Sequence, residues 1–274
     1  MVRPAPPVAP PSAATFALLP LCVLANGALF WPAACLVAIA AAVAQRPGAM
    51  LVWYGLAVGF DANALVLAPF VVALCVRLRA PWPTLPLAPA CALAMLLARS
   101  QGVPLAIVLP QDVALTRGAP TLWAIAQALP GIGALPLAGL AMASALGAAM
   151  AYTAWATGLS LRRADLLDAA LLGAMLPVLL PAIGPQALLL ADALALIVAV
   201  LDPRAGRWRV AGLVVGGTTM AWLGRADATA LAAVAMLAAT LLHARMVLKP
   251  AANDNPRIVP LQRAKPLPSW PETC

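Results

Sequence analysis

Charged positions cut this chain into apolar runs, and the run lengths predict its elements. No charged residue occurs between Arg3 and Arg46. That window predicts a helix from about Ala13 to Phe30, then Trp31-Pro32, then a second apolar run from Ala33 to Ala44. The second run is short against the roughly 20 residues of a spanning helix, so its helix either begins before Pro32 or enters an apolar phase only partway. Arg46-Pro47-Gly48 reads as a turn. Ala49 to Val76 is too long for one straight span at about 1.5 Å per residue. Asp61 and Asn63 interrupt it, which predicts two short helices meeting at Phe60-Asp61-Ala62-Asn63. Arg77 and Arg79 close this unit on the same side as Arg46.

A Pro-rich segment from Pro81 to Pro89 leads into a modest run, Leu87 to Leu97, that ends at Arg99. Gly102 to Gln111 is apolar but very short and reads as re-entrant or interfacial. The 44 uncharged residues between Arg117 and Arg162 would make a helix of about 66 Å, so two helices are expected, broken near Pro130 to Pro136. Asp165 and Asp168 suit the first turn of the next helix, where carboxylates favour the positive end of the dipole. It runs to about Leu180, turns tightly through Pro181 to Pro185, and returns as Gln186 to Leu201 with Asp192 inside. Residues 202–207 read as a loop, followed by helices at about Trp208 to Leu223 and Ala228 to Val247.

The chain thus divides into a Pro-rich arm (1–12), a helical transmembrane domain (13–248) and an irregular tail (249–274). The basic clusters at 162–163, 204–209 and 245–249 fall on one side, the cytoplasmic one by the positive-inside rule, and place the tail there too. The expected fold class is all-α: a polytopic integral membrane protein of about eight to ten hydrophobic helices, several too short to span alone.

Composition sharpens this picture. The chain is 64% apolar and 9% charged, against roughly 25% charged in soluble proteins. A soluble domain, a disordered chain and a disulfide scaffold are excluded, and Glu272 is the single Glu. The net charge of +8 comes from 17 basic and 9 acidic residues with His243 neutral. All the basic residues but Lys249 and Lys265 are Arg, scattered singly or in pairs at the ends of apolar runs, where anionic headgroups lie. Nucleic acid is not an expected partner, because that requires a concentrated basic face. Cys22, Cys35, Cys75, Cys91 and Cys274 form no CxxC pair, and with one His no metal site or cofactor is expected.

Few residues can carry chemistry. Asp61 and Asn63 lie between two apolar segments, where an ionisable group is a functional candidate; equally, Asp61 can cap the next helix. Asp192 lies in an apolar run, and a polar or cationic partner on another helix is expected for it. Gln111, Asp112 and Arg117, with Gln101, either line a cavity mouth or sit at the headgroup level. Arg162 and Arg163 mark topology or meet a phosphate. Gln186 is the one polar side chain of its turn. His243, beside Arg245, suits the cationic end of the last helix.

Several of these segments resemble motifs of the GT-C superfamily, the polytopic glycosyltransferases that use lipid-linked sugars, in its bacterial mannosyltransferase-like branch. Phe60-Asp61-Ala62-Asn63-Ala64-Leu65-Val66-Leu67-Ala68-Pro69-Phe70 is similar to the family's Phe-Lys-x-Gln, apolar run and Pro, with Asp61 and Asn63 at its Lys and Gln positions. Ala119-Pro120-Thr121-Leu122-Trp123 looks like Asn-Ala-Pro-Asn-Leu-Tyr/Trp, with Gly118 and Thr121 where Asn is usual. Leu180-Pro181-Ala182-Ile183-Gly184-Pro185-Gln186-Ala187 with Ala191-Asp192 resembles Leu-Pro-Lys-Met-His-Glu-Arg-Tyr and a later Ala-Asp. Its Lys, His, Glu, Arg and Tyr are replaced here by Ala182, Gly184, Pro185, Gln186 and Ala187. Trp31-Pro32-Ala33-Ala34-Cys35 matches a Trp-Gly-Gln-x-Asp element without its polar residues.

The resemblance runs from about Ala17 to Leu248. It implies a GT-C-like transmembrane core in a bacterial inner (cytoplasmic) membrane, lacking the large external loop that carries the family's catalytic carboxylate. With the donor-holding residues erased, the expected role is a non-catalytic scaffold or accessory subunit among other membrane subunits and lipids, more a pseudoenzyme than an enzyme. The alternatives are a transferase using a polyprenyl-phosphate sugar with Asp61 or Asp112, and a transporter of a lipid or other apolar substrate. Asn63, Gln111, Arg117, Arg162, Arg163, Gln186 and Asp192 are the candidate substrate- or lipid-binding residues.

Overall fold

The computed structural model describes residues 30–100, 118–128, 137–181, 183–223 and 226–248. Among them every regular element is helical. The α-helices are α1 (Phe30–Val43), α2 (Pro47–Phe60), α3 (Ala68–Arg77), α4 (Leu87–Ser100), α5 (Leu122–Ala128), α6 (Leu137–Thr157), α7 (Arg163–Met175), α8 (Leu189–Leu201), α9 (Ala205–Trp222) and α10 (Ala226–Leu248). The helix expected at 13–30, the break at 130–136 and the tail lie outside the described residues. So do Gln101, Gln111, Asp112 and Arg117.

Prolines set the breaks. Pro47 stands in the first turn of α2, where its missing N–H costs nothing, so the turn expected at 46–48 lies one step earlier. There Gln45 takes a left-handed φ of 56° and Arg46 N–H reaches back to Ala41 O at 2.9 Å. α1 begins at Phe30, before Pro32, which settles how the short second run starts. Pro177 cannot donate to Gly173 O. Leu176 N–H bonds that carbonyl instead, and the helix tightens into a 3-10 turn, Leu176–Leu179. A second 3-10 segment, Pro185–Leu188, feeds α8.

The expected break at Asp61 is present. α2 ends at Phe60, Asp61 is extended, and a 3-10 segment, Ala62–Leu67, leads into α3. Two expectations need correcting. Asp192 is not in mid-helix but in the first turn of α8. Residues 202–207 are not all loop, because α9 starts at Ala205 and carries Arg207 in its first turn.

The helices run up and down between two ends. One end gathers the 3-10 segments 62–67 and 185–188, which touch, and α5, which packs on 176–179. The other gathers most of the described arginines. Arg77 Nε donates to Leu159 O at 3.1 Å, Arg163 and Arg207 line one cavity, and Arg209 and Arg245 line another. The basic clusters expected to share a side therefore share an end. The core between the ends is built around Trp31, Met50, Phe70, Leu166, Met175, Leu190, Leu194 and Met236, all fully or almost fully buried.

Two glycines set the tightest crossing. A Cβ on Gly59 would fall 2.8 Å from Ala92 Cα and from Met95 Cβ, and one on Gly55 would fall 2.9 Å from Ala88 Cα. Gly55-x-x-x-Gly59 therefore lets α2 lie directly on the backbone of α4, the close approach that small residues permit between packed helices. The small-residue stretches at 216–217 and 138–151 are only partly used for close packing. Gly217 packs on Met236 and Ala232 of α10, whereas Gly139, Gly147 and Gly216 have nothing within 4 Å. On α6, Ala141, Ala145, Tyr152 and Ala156 turn inward, and Leu140, Met142, Leu146 and Met150 are exposed.

Candidate functional site

The four segments that carry the family resemblance meet at one end of the bundle. Phe30 and Phe60 stack with ring centroids 4.6 Å apart, joining the start of α1 to Asp61. The 62–67 and 185–188 segments touch. Trp123 Nε1 donates to Leu179 O at 2.7 Å, tying the 119–123 segment to the same place.

Two of the acidic residues there accept hydrogen bonds within the chain. Asp61 Oδ1 accepts from Asn63 N at 2.9 Å, the capping alternative. Asp192 Oδ1 lies 3.0 Å from Thr218 Oγ1 of α9, so the partner expected on another helix is a hydroxyl. That hydroxyl shares its one proton with Val214 O, also at 3.0 Å. Gln186 is exposed. A Cβ on Gly184 would meet only the tip of the Gln186 side chain, which can swing away, and Gly184 has φ −89°. Larger residues at 184 are therefore tolerable.

Two buried polar atoms at this end have no partner among the described residues, Trp31 Nε1 and Thr121 Oγ1. An unpartnered buried hydroxyl costs on the order of 1–3 kcal/mol. Thr121→Val, of the same shape, is expected to raise the melting temperature; a fall on thermal unfolding would show that the hydroxyl is partnered after all.

The opposite end holds a cluster that sequence reading missed. Arg207 Nη2 donates to Asp168 Oδ2 at 2.5 Å, and its Nε lies 3.7 Å from Asp202 Oδ2. Its Nη1 lies 3.2 Å from His243 Nδ1. His243 Nε2 lies 3.0 Å from Asp168 O. A guanidinium only donates and a carbonyl only accepts, so Nδ1 accepts and Nε2 carries the proton. Both ring nitrogens are committed, and the ring is fully buried, so His243 is not available as a general base. This corrects its reading as a cationic helix end. Arg204 Nε adds a 3.1 Å contact to Asp202 Oδ1.

Two carboxylates and two guanidinium groups balance, with a neutral imidazole between α7, α9 and α10. The cluster borders a cavity of about 300 Å³ that Arg163 also lines. Arg162 and Arg163 are exposed. Asp165, in the first turn of α7 as expected, accepts from Ser160 Oγ. The sequence signals were the single His and the i, i+3 pairs Asp165/Asp168 and Arg204/Arg207. Pro203 and Gly206 hid the second pair inside an apparent loop. In fact Gly206 belongs to α9 and lies against α10, where a Cβ would be 3.1 Å from Met246 Sδ.

Among the described residues no group of three or more His, Cys, Asp or Glu could hold a metal ion. No family model, curated protein or solved structure matches the chain.

Proposed function

We propose that this chain is a multi-pass membrane protein of GT-C-like build that serves as a non-catalytic scaffold or accessory subunit. One observation carries the non-catalytic part. Asp61, Asp165, Asp168, Asp192 and Asp202 each have a donor within the chain. A transferase needs a base or an electrostatic clamp for the leaving phosphate, and none of these groups is left over for it.

Helix lengths support membrane residence. Ala228–Leu248, with a mean hydropathy of 1.9, is long and apolar enough to cross a bilayer. Shorter apolar units gain length from their 3-10 turns, which rise about 2.0 Å per residue. By that count Ala62–Arg77 and Pro185–Leu201 reach about 27 Å each, close to the roughly 30 Å hydrocarbon core. The exposed Leu140, Met142, Leu146 and Met150 on α6 suit a lipid or subunit neighbour. The meeting of the four motif segments at one end supports the GT-C-like build.

Extraction in mild detergent is expected to bring a second membrane subunit through size separation with this chain; a chain that migrates alone removes the accessory reading. The transferase alternative is tested by Asp61→Asn combined with Asp112→Asn. Asn still accepts from Asn63 N–H, so assembly is expected to hold and sugar transfer from a polyprenyl-phosphate donor to stay at background. Transfer present in the parent and lost in the variant would make the chain an enzyme.

A further inference from the structure

We infer that the groove between α9 and α10 at the arginine-rich end binds the phosphate of an anionic lipid headgroup, clamped by Arg209 and Arg245; this rests on the membrane reading above. The two cavities at that end differ in charge. In the one beside Asp168, Arg207 is neutralised by Asp168 and Asp202. The other, of about 240 Å³, is lined by Gly206, Arg209, Leu242, Arg245 and Met246 and holds no carboxylate. Arg209 and Arg245 are exposed and have no ion pair or hydrogen bond among the described residues.

Two unpaired guanidinium groups on neighbouring helices fit the oxygens of one phosphate. The walls between them are the partly exposed side chains of Leu242 and Met246. A headgroup with an acyl chain meets both the charge and the apolar wall, whereas a free phosphate leaves the wall wet. Arg245 stands in the last turn of α10, the helix long enough to span, at the depth where headgroups lie. The half-exposed Trp208 in the first turn of α9 suits the same interface. The chain's own tail is a poor occupant, since residues 249–274 carry four basic and two acidic residues and would repel the arginines.

The test uses the full chain in nanodiscs of phosphatidylcholine with or without phosphatidylglycerol, reading retained lipid by native mass spectrometry. Phosphatidylglycerol is expected to be retained over phosphatidylcholine. The double variant Arg209→Gln, Arg245→Gln should weaken that retention about thirty-fold, from roughly one interfacial charge contribution per arginine, while Arg79→Gln, at an exposed arginine outside the groove, leaves it unchanged. Equal retention by the double variant and the parent overturns the site. Displacement of the lipid by inorganic phosphate at comparable concentration overturns the lipid assignment in favour of the free ion. Insertion into nanodiscs without lipid preference sinks this site alone; failure to insert sinks the membrane reading and the site together.

Discussion

Arg207→Ala is expected to be among the most destabilising single changes in the chain. Arg207 and Asp168 are only 12% and 13% exposed, so the substitution leaves a nearly buried carboxylate without its counter-charge. Breaking one side of a buried pair costs about 3–5 kcal/mol. The same change strips His243 Nδ1 of its donor. The double variant Arg207→Met, Asp168→Leu should recover most of the loss, because an apolar pair of similar volume removes both desolvation costs. Denaturant or thermal unfolding in detergent decides between the outcomes. If the single variant unfolds within about 1 kcal/mol of the parent, the cluster is wet and ordinary.

A second large effect is expected at the α2–α4 crossing. Gly59→Val puts a branched side chain where even a Cβ would lie 2.8 Å from a backbone carbon of α4. Backbone cannot swing aside as a side-chain tip can, so the two helices must separate. Overpacking of this kind costs about 1–3 kcal/mol, occasionally more, and with Gly55→Val added the crossing should fail to form. Gly147→Ala on α6 is the control. Nothing lies within 4 Å of its Cβ position, and Ala in a helix is favoured over Gly by about 0.8–1.0 kcal/mol. Yield of folded protein after detergent extraction should fall steeply for the first pair and hold or rise for the control. Equal yields would mean that α2 and α4 are not in contact.

Breaks and ends were legible because they need particular residues. Asp61 and Pro47 mark helix breaks whatever surrounds them, and most of the described arginines collect at one end because they cannot sit among apolar side chains, whereas the tightened turn at Pro177 was not expected, its helix being read straight on to about Leu180. Faces were not legible. On α9 and α10 the buried residues, Val210, Val214 and Met236, are no more apolar than the exposed Leu231, Val234 and Leu241, so no polar stripe marks which way the helix turns. For the same reason Gly55 and Gly59 did not stand out from Gly139 and Gly147: a glycine is informative only once its neighbour is known. At the cluster the signal was present but split. Asp168, Arg207 and His243 are separated by 39 and 36 residues, and each looked like an ordinary helix-end residue until the ends were brought together. The proposed scaffold role rests, on the sequence side, on Ala182, Gly184, Pro185 and Gln186 standing where the resembled motif has charged or polar residues.

That split also orders the birth of the protein. A chain emerging from its N-terminus makes α7 first, α9 next and α10 last. Asp168 must therefore wait for Arg207, and the pair must wait again for His243, 75 residues beyond Asp168. Until then Arg207 Nη1 and the Asp168 carbonyl lack the partner that α10 brings, and a ribosome stalled before residue 243 holds an unfinished latch. Only a chain that has added α10 closes this cluster, and one that stops short of it leaves Arg207 Nη1 and the Asp168 carbonyl without their His243 contacts.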